Sequence, residues 1–130
     1  MDQLRLPGHL QSALWSHVLR EFPGESVGVL AADTPGNLRA IYPLSNIDAQ
    51  PQRRYLADPL ELLRALRAMK REQLTLGAVY HSHPYGPARP SETDLILAEY
   101  RVPYLIAGVE GRVLRAYLLP ENVEVPLALL

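Results

Sequence analysis

The chain has 130 residues, 48% of them hydrophobic, with 13 basic and 14 acidic side chains mixed along its length for a formal charge of −1. That length suits a single domain spanning residues 1–130 around one core, and the near-neutral, dispersed charge argues against an electrostatic grip on nucleic acid. The absence of cysteine excludes disulfides, thiol nucleophiles and cysteine-rich zinc sites. No signal peptide and no apolar run near the roughly 20 residues of a membrane span is evident, so a cytoplasmic protein with no membrane partner is expected.

After Pro7-Gly8, the apolar positions Leu10, Ala13, Leu14, Val18 and Phe22 fall on one helical face, and Pro23-Gly24 ends the segment. His9 and His17 read as surface or packing residues. Val27 to Ala32 reads as a buried strand, Asp33 to Asn37 as a turn and Leu38 to Tyr42 as the returning arm of a hairpin. Gln52 to Leu56 reads as another short strand. Asp58 then caps a helix with Pro59 in its first turn, burying Leu62, Leu63, Leu66 and Met69 and turning Arg64, Arg67, Lys70 and Arg71 to solvent. Leu76 to Tyr80 is a strand leading into His81-Ser82-His83-Pro84. The stretch Tyr85 to Pro90 breaks regular structure, and Ser91 to Asp94 opens an apolar, helix-length run from Leu95 to Tyr100. Tyr104 to Val109 and Arg112 to Leu118 form a second hairpin around Glu110-Gly111. In the tail from Pro120 to Leu130, the alternating Val123, Val125, Leu127 and Leu129 resemble an edge strand. The pattern belongs to the α/β class.

Two histidines at the end of a strand, one residue apart, share a face with a spacing of roughly 6 to 7 Å along the backbone, close enough to share one ion. Without a metal both rings must be desolvated and hydrogen-bonded, a state proteins seldom maintain for such pairs. A strand, a tight loop and a helix start return Asp94 toward them. Ser91-x-x-Asp94 also has the form of a capping box, with Asp in place of the longer Glu or Gln. Two imidazoles and a carboxylate suit zinc, with geometry and availability deciding among the divalent transition metals. Zinc held this way keeps an open fourth position and lowers the pKa of a bound water to roughly 7. The resulting nucleophile needs a nearby carboxylate, not itself a ligand, to move its proton.

The pattern His81-x-His83-Pro84, six residues, Ser91-x-x-Asp94 resembles the signature of the JAMM (MPN-plus, JAB) zinc metalloproteases, in the spacing found in bacterial members. Pro23-Gly24-Glu25-Ser26-Val27-Gly28-Val29-Leu30 is similar to the family's first-strand segment, with Val27 where many relatives have cysteine. Arg54 to Leu63 resembles the strand-then-helix segment of bacterial stand-alone members, so the likeness spans about residues 10 to 120. It implies a curved mixed sheet flanked by helices, of the kind also seen in cytidine deaminases. It implies one zinc ion with a bound catalytic water on His81, His83 and Asp94, Glu25 as the base, and Ser91 as the hydroxyl that stabilises the oxyanion. The same Ser91 oxygen is also the candidate helix cap. Family enzymes hydrolyse the amide bond at the C-terminus of ubiquitin or ubiquitin-like proteins, and the short chain favours the branch resembling peptidases of sulfur-carrier proteins with a Gly-Gly tail. The alternatives are a non-catalytic scaffold of the same fold and a zinc hydrolase of a small amide.

Overall fold

The computed structural model describes residues 3–130. The strand expected at Val27–Ala32 (β2) forms over those residues and pairs antiparallel with β3 (Leu38–Leu44), which runs two residues past Tyr42. β2 pairs antiparallel on its other side with β4 (Thr75–His83). The six-stranded sheet continues through β5 (Tyr104–Gly108), β6 (Val113–Leu118) and β7 (Val123–Val125), in the order β3-β2-β4-β5-β6-β7. Within it only β4 and β5 run parallel. A parallel pair needs a crossover, and residues 84–103 supply it.

Alternation along the central strands divides the core between two faces. Leu30, Ala78, Tyr80, Leu105 and Ala107 pack on the side of α1 (Gly8–Glu21), which buries Leu10, Leu14, Trp15, His17 and Val18. A two-stranded parallel sheet of β1 (Leu4–Leu6) and β8 (Leu127–Leu129) packs on this same side. Val29, Val79, Tyr104 and Ile106 face the opposite way, toward Ala65 and Met69 of α2 (Pro59–Arg71). Both faces of β2 are therefore covered, and all six of its residues are buried. Gly28 stands opposite Tyr80 in the ladder, and a Cβ there would meet the Tyr80 ring at 2.2 Å. The Tyr80 hydroxyl in turn bonds His17 Nδ1 at 2.6 Å, so His17 is a core packing residue.

Several local expectations give way to tertiary structure. No strand forms at 52–56, because the Asn46 side chain accepts from the Leu56 N–H and donates to the Arg54 carbonyl, groups that a strand would pair elsewhere. Only an isolated bridge between Asn46 and Ala57 remains. The helix after Ser91, α3 (Glu92–Leu97), stops short of Tyr100 because the N–H groups of Glu99 and Tyr100 donate to the Tyr104 hydroxyl. Phe22 and Leu63 are exposed, and Ala65 occupies the buried stripe of α2. The tail is divided at Pro126, β7 joining β6 and β8 joining β1. Among the described residues no helix is long and apolar enough to cross a membrane.

Candidate metal centre

β4 carries the two histidines to the end of the sheet, on the face that also carries Val79. The β2–β4 register sets Val27 opposite His81. Beyond that pair, the Ser82 N–H donates to the Ser26 carbonyl (3.1 Å) and the Ser26 N–H donates to Ser82 Oγ (2.8 Å). Glu25 precedes Ser26 directly, and its carboxyl lies close enough to His83 and Asp94 for their charges to act on it. The Glu25 backbone is held on both sides, its N–H donating to the Pro51 carbonyl and its carbonyl accepting from Asn46 Nδ2.

Asp94 arrives from the crossover. Ser91 caps α3 by accepting the Asp94 N–H at 3.0 Å, and Asp94 Oδ2 accepts the Ser91 N–H at 2.9 Å, completing the expected capping box. That same Oδ2 lies 3.1 Å from His81 Nε2 and 3.0 Å from His83 Nε2, and the two nitrogens are 3.2 Å apart. Candidate ligand atoms of His81, His83 and Asp94 thus lie within 4.8 Å of one another, in three buried residues. Four tetrahedral ligands at the usual bond length of about 2.0–2.1 Å stand roughly 3.3 Å apart, so the triangle has the size that zinc requires.

The donor chemistry agrees. His83 Nδ1 lies 2.9 Å from the Pro87 carbonyl, an acceptor that fixes the ring proton on Nδ1 and leaves the Nε2 lone pair facing a carboxylate oxygen. Only a proton or a cation resolves that repulsion. Burial disfavours the charged His83 ring, but the bonds to Asp94 and Pro87 outweigh it, and its pKa is raised. Burial holds the His81 pKa down despite Asp94. Burial would raise the Asp94 carboxyl, yet bonding to His81 and His83 holds it far below the usual carboxylate range. Glu25 goes the other way: burial pushes it up to about 7, opposed by His83 and assisted by Asp94 and Asp48.

Two residues outside the predicted set shape the site. The Tyr55 ring stacks on His81, with centroids 4.6 Å apart and planes at 27°, where the buried His81 Nδ1 has no hydrogen-bond partner among the described residues. Asn46 ties the Glu25 carbonyl to the loop that presents Tyr55. An amide in a loop carries no sequence signal for such a task. Tyr55 lay within the recognised segment, but its contact with His81 joins positions too distant for local reading. A cavity of about 480 Å³ opens from His83 and Ser91, and a second, of about 310 Å³, is walled by Val27, Tyr55, Val79 and Tyr104 and meets the cluster through the Tyr55 ring stacked on His81.

Residues 7–119 match the model of the prokaryotic homologues of the JAB domain. The chain belongs to this family. The resemblance read from the histidine motif is thereby borne out. Among relatives of this prokaryotic JAB chain, a "Probable TtuB-protein conjugate cleaving protease" of Thermus thermophilus is 48% identical over 127 residues, covering 98% of this chain and 83% of that protein. A "Desampylase" of Haloferax volcanii is 37% identical over 117 residues, covering 85% and 84%. The crystal structure of a JAB1/MPN domain protein from Archaeoglobus fulgidus superposes with a TM-score of 0.69 at 16% identity, covering all of both chains. That likeness establishes the JAB/MPN fold, the mixed sheet flanked by helices that the motif implied.

Proposed function

We propose that this chain is a zinc metallopeptidase that hydrolyses the amide or isopeptide bond after the C-terminal Gly-Gly of a ubiquitin-like sulfur-carrier protein. The observation that carries the reading is the convergence of His81 Nε2, His83 Nε2 and Asp94 Oδ2, with the buried Glu25 carboxyl near enough to feel the charges of His83 and Asp94. These three residues would hold one ion per chain. When bound, zinc supplies Lewis acidity that makes water a better nucleophile and polarises the scissile carbonyl.

The remaining chemistry belongs to the chain's own side chains. A buried carboxyl beside the cluster that is not one of the candidate ligands suits Glu25 to take a proton from water and return it to the leaving amine. Ser91 Oγ uses a lone pair to cap α3, so its hydroxyl proton is available to the oxyanion, and the two duties are compatible. In the balanced step the water oxygen bonds to the glycine carbonyl carbon, the C–N bond breaks with its electron pair on nitrogen, and the nitrogen takes the proton. The products are a carrier ending in a glycine carboxylate and the released amine as an ammonium, which carries both protons of the water. A Gly-Gly segment has no side chains to clash as an extended strand slides beside His81.

The names of the Thermus and Haloferax relatives support a protein conjugate as substrate; the Gly-Gly tail rests on the family resemblance, and the cytoplasm remains the proposed setting. The complete ligand set weighs against a purely scaffolding role. Mass spectrometry of a sulfur carrier extended beyond its Gly-Gly tail tests the reading with zinc-loaded protein, a chelated control and Glu25→Ala. Cleavage after the glycines is expected with zinc alone, Glu25→Ala keeping the metal but losing turnover by roughly 10²-fold or more. Full activity in Glu25→Ala would remove the base assignment. An intact tail in the presence of folded, zinc-loaded protein would shift the reading to a small amide or a binding role.

A further inference from the structure

We propose that Tyr55 is the positioning residue of His81: its ring face, held in place by Asn46, orients the imidazole toward the metal where no hydrogen bond does so. The inference rests on the metal-dependent reading of the site and is independent of which substrate is cleaved.

The two histidines of the cluster are oriented by different means. A histidine that offers Nε2 to a metal keeps its ring proton on Nδ1, and that N–H usually donates to a carbonyl or carboxylate that fixes the ring and raises its basicity. His83 follows this pattern, with the Pro87 carbonyl 2.9 Å from its Nδ1. His81 does not. Its Nε2 stands 3.1 Å from Asp94 Oδ2, the residue is fully buried, and its Nδ1 has no hydrogen-bond partner among the described residues. The strand backbone fixes the Cβ of His81, but the turn of the ring about the Cβ–Cγ bond is broad by nature and is set by neighbours.

Tyr55 is the neighbour that lies flat on that ring. The two centroids are 4.6 Å apart with planes at 27°, whereas His83 meets His81 at a tilt of 60°. Turning the imidazole about Cβ–Cγ would drive an edge into the phenol, and a completed turn would put Cε1 where Nε2 now stands. The stack blocks both movements.

Tyr55 can do this only if it is itself held. Its ring borders the cavity of about 310 Å³, so close packing does not surround it. One amide supplies the restraint from both sides. Asn46 Nδ2 donates to the Arg54 carbonyl (3.0 Å) and Asn46 Oδ1 accepts the Leu56 N–H (3.0 Å), so the residues before and after Tyr55 are pinned as a strand partner would pin them. The Ile47 N–H donates to the Leu56 carbonyl at 2.8 Å, and the bridge from Asn46 to Ala57 closes the clamp. Asn46 Nδ2 also donates to the Glu25 carbonyl at 2.9 Å, which anchors the clamp to the segment that carries the base.

The test uses Tyr55→Phe, which keeps the ring, Tyr55→Leu, which keeps apolar bulk without a flat face, Asn46→Ala, the Asn46→Ala/Tyr55→Leu pair, and Tyr100→Leu as a control that removes a phenol from the wall of the same cavity. Tyr55→Met, whose flexible chain fills the space without a flat face, serves where Tyr55→Leu does not fold. Zinc affinity is measured by competition with a chromophoric chelator, ligand geometry by the visible absorption of the cobalt(II) form, and stability of the metal-free chains in urea. Zinc affinity should fall about tenfold in Tyr55→Leu, the low end for a lost outer partner of a ligating histidine, and stay at the wild-type value in Tyr55→Phe and Tyr100→Leu. The cobalt bands should move in Tyr55→Leu alone of these three. Asn46→Ala should weaken zinc binding, and the pair should lose no more than Tyr55→Leu, because Asn46 acts through Tyr55. Wild-type zinc affinity in Tyr55→Leu overturns the proposal, whatever its stability in urea. An equal loss in Tyr55→Phe would assign the effect to the hydroxyl, and an equal loss in Tyr100→Leu to the cavity; either overturns it. Additive losses in the pair would overturn the role of Asn46. Wild type that takes up no zinc would overturn the metal reading and this inference together, whereas Tyr55-dependent zinc binding in a chain that cleaves no carrier tail would support this inference and remove the peptidase reading.

Discussion

Replacing Glu25 with glutamine tests the electrostatics of the site without any substrate. Burial raises the Glu25 carboxyl from 4.5 to about 7, against the opposing charge of His83. An acid with a higher pKa in the folded chain stabilises the fold below its unfolded value and loses that contribution as pH rises through the folded one. The unfolded chain ionises first, near 4.5, and relative stability falls until the folded chain follows at about 7. The interval corresponds to about 3 kcal/mol. Metal-free Glu25→Gln should therefore match wild type at about pH 4.5 and exceed its stability by up to about 3 kcal/mol at about pH 8. Urea unfolding of both proteins across this range reads the difference, to which the loss of the Glu25 charge beside His83, one of the causes that raise the His83 pKa, also contributes. Added zinc should narrow the gap, since a dication favours the carboxylate. Stability curves that stay parallel from acid to alkaline pH would refute the desolvation argument and, with it, the poised proton at Glu25.

Other side chains give separate readouts. Asp94→Ala should abolish stoichiometric zinc binding in calorimetry, because Oδ2 is the atom common to both histidines; equimolar zinc retained at neutral pH would show that the cluster is not the metal site. Ser91→Ala should lose about 1 kcal/mol of stability through the cap and roughly 10²-fold in turnover through the oxyanion. A stability loss with unchanged turnover would confine Ser91 to capping. Gly28→Ala should destabilise by about 1–3 kcal/mol in urea, since the new methyl meets the Tyr80 ring at 2.2 Å; wild-type stability would mean that the ring moves aside freely.

The parts of this fold legible in the sequence are those governed by short-range rules. The buried run Val27–Ala32, the Asp58 cap with Pro59 behind it and the period of two in His81-x-His83 all appear as read. Ser91-x-x-Asp94 was legible as a capping box, but its use of one oxygen for the cap and for the cluster was not. What escaped depends on partners remote in sequence. His17 meets Tyr80 across 63 positions, Asn46 removes the backbone groups of a would-be strand, and Tyr104 ends α3 three residues before Tyr100. Phe22 and Leu63 have helical spacing, yet the faces available to them were set by the sheet rather than by the helix pattern. The Tyr55 contact with His81 carries no local signal, because it exists only once the 46–57 loop is folded.

Asp94 Oδ2 is oriented by the Ser91 amide independently of any cation, and the helix it caps bears Leu97, a wall of the apolar cavity beside His81. Ion, helix start and cavity wall are thus successive links through one oxygen. By thermodynamic reciprocity, whatever coupling this link carries between ion and cavity acts equally in both directions. A tail seated against Leu97 would slow escape of the metal, and a chelator would loosen the tail it never touches. With that coupling positive, the chain would hold its ion more firmly while the cavity walled by Leu97 is filled than while it is empty.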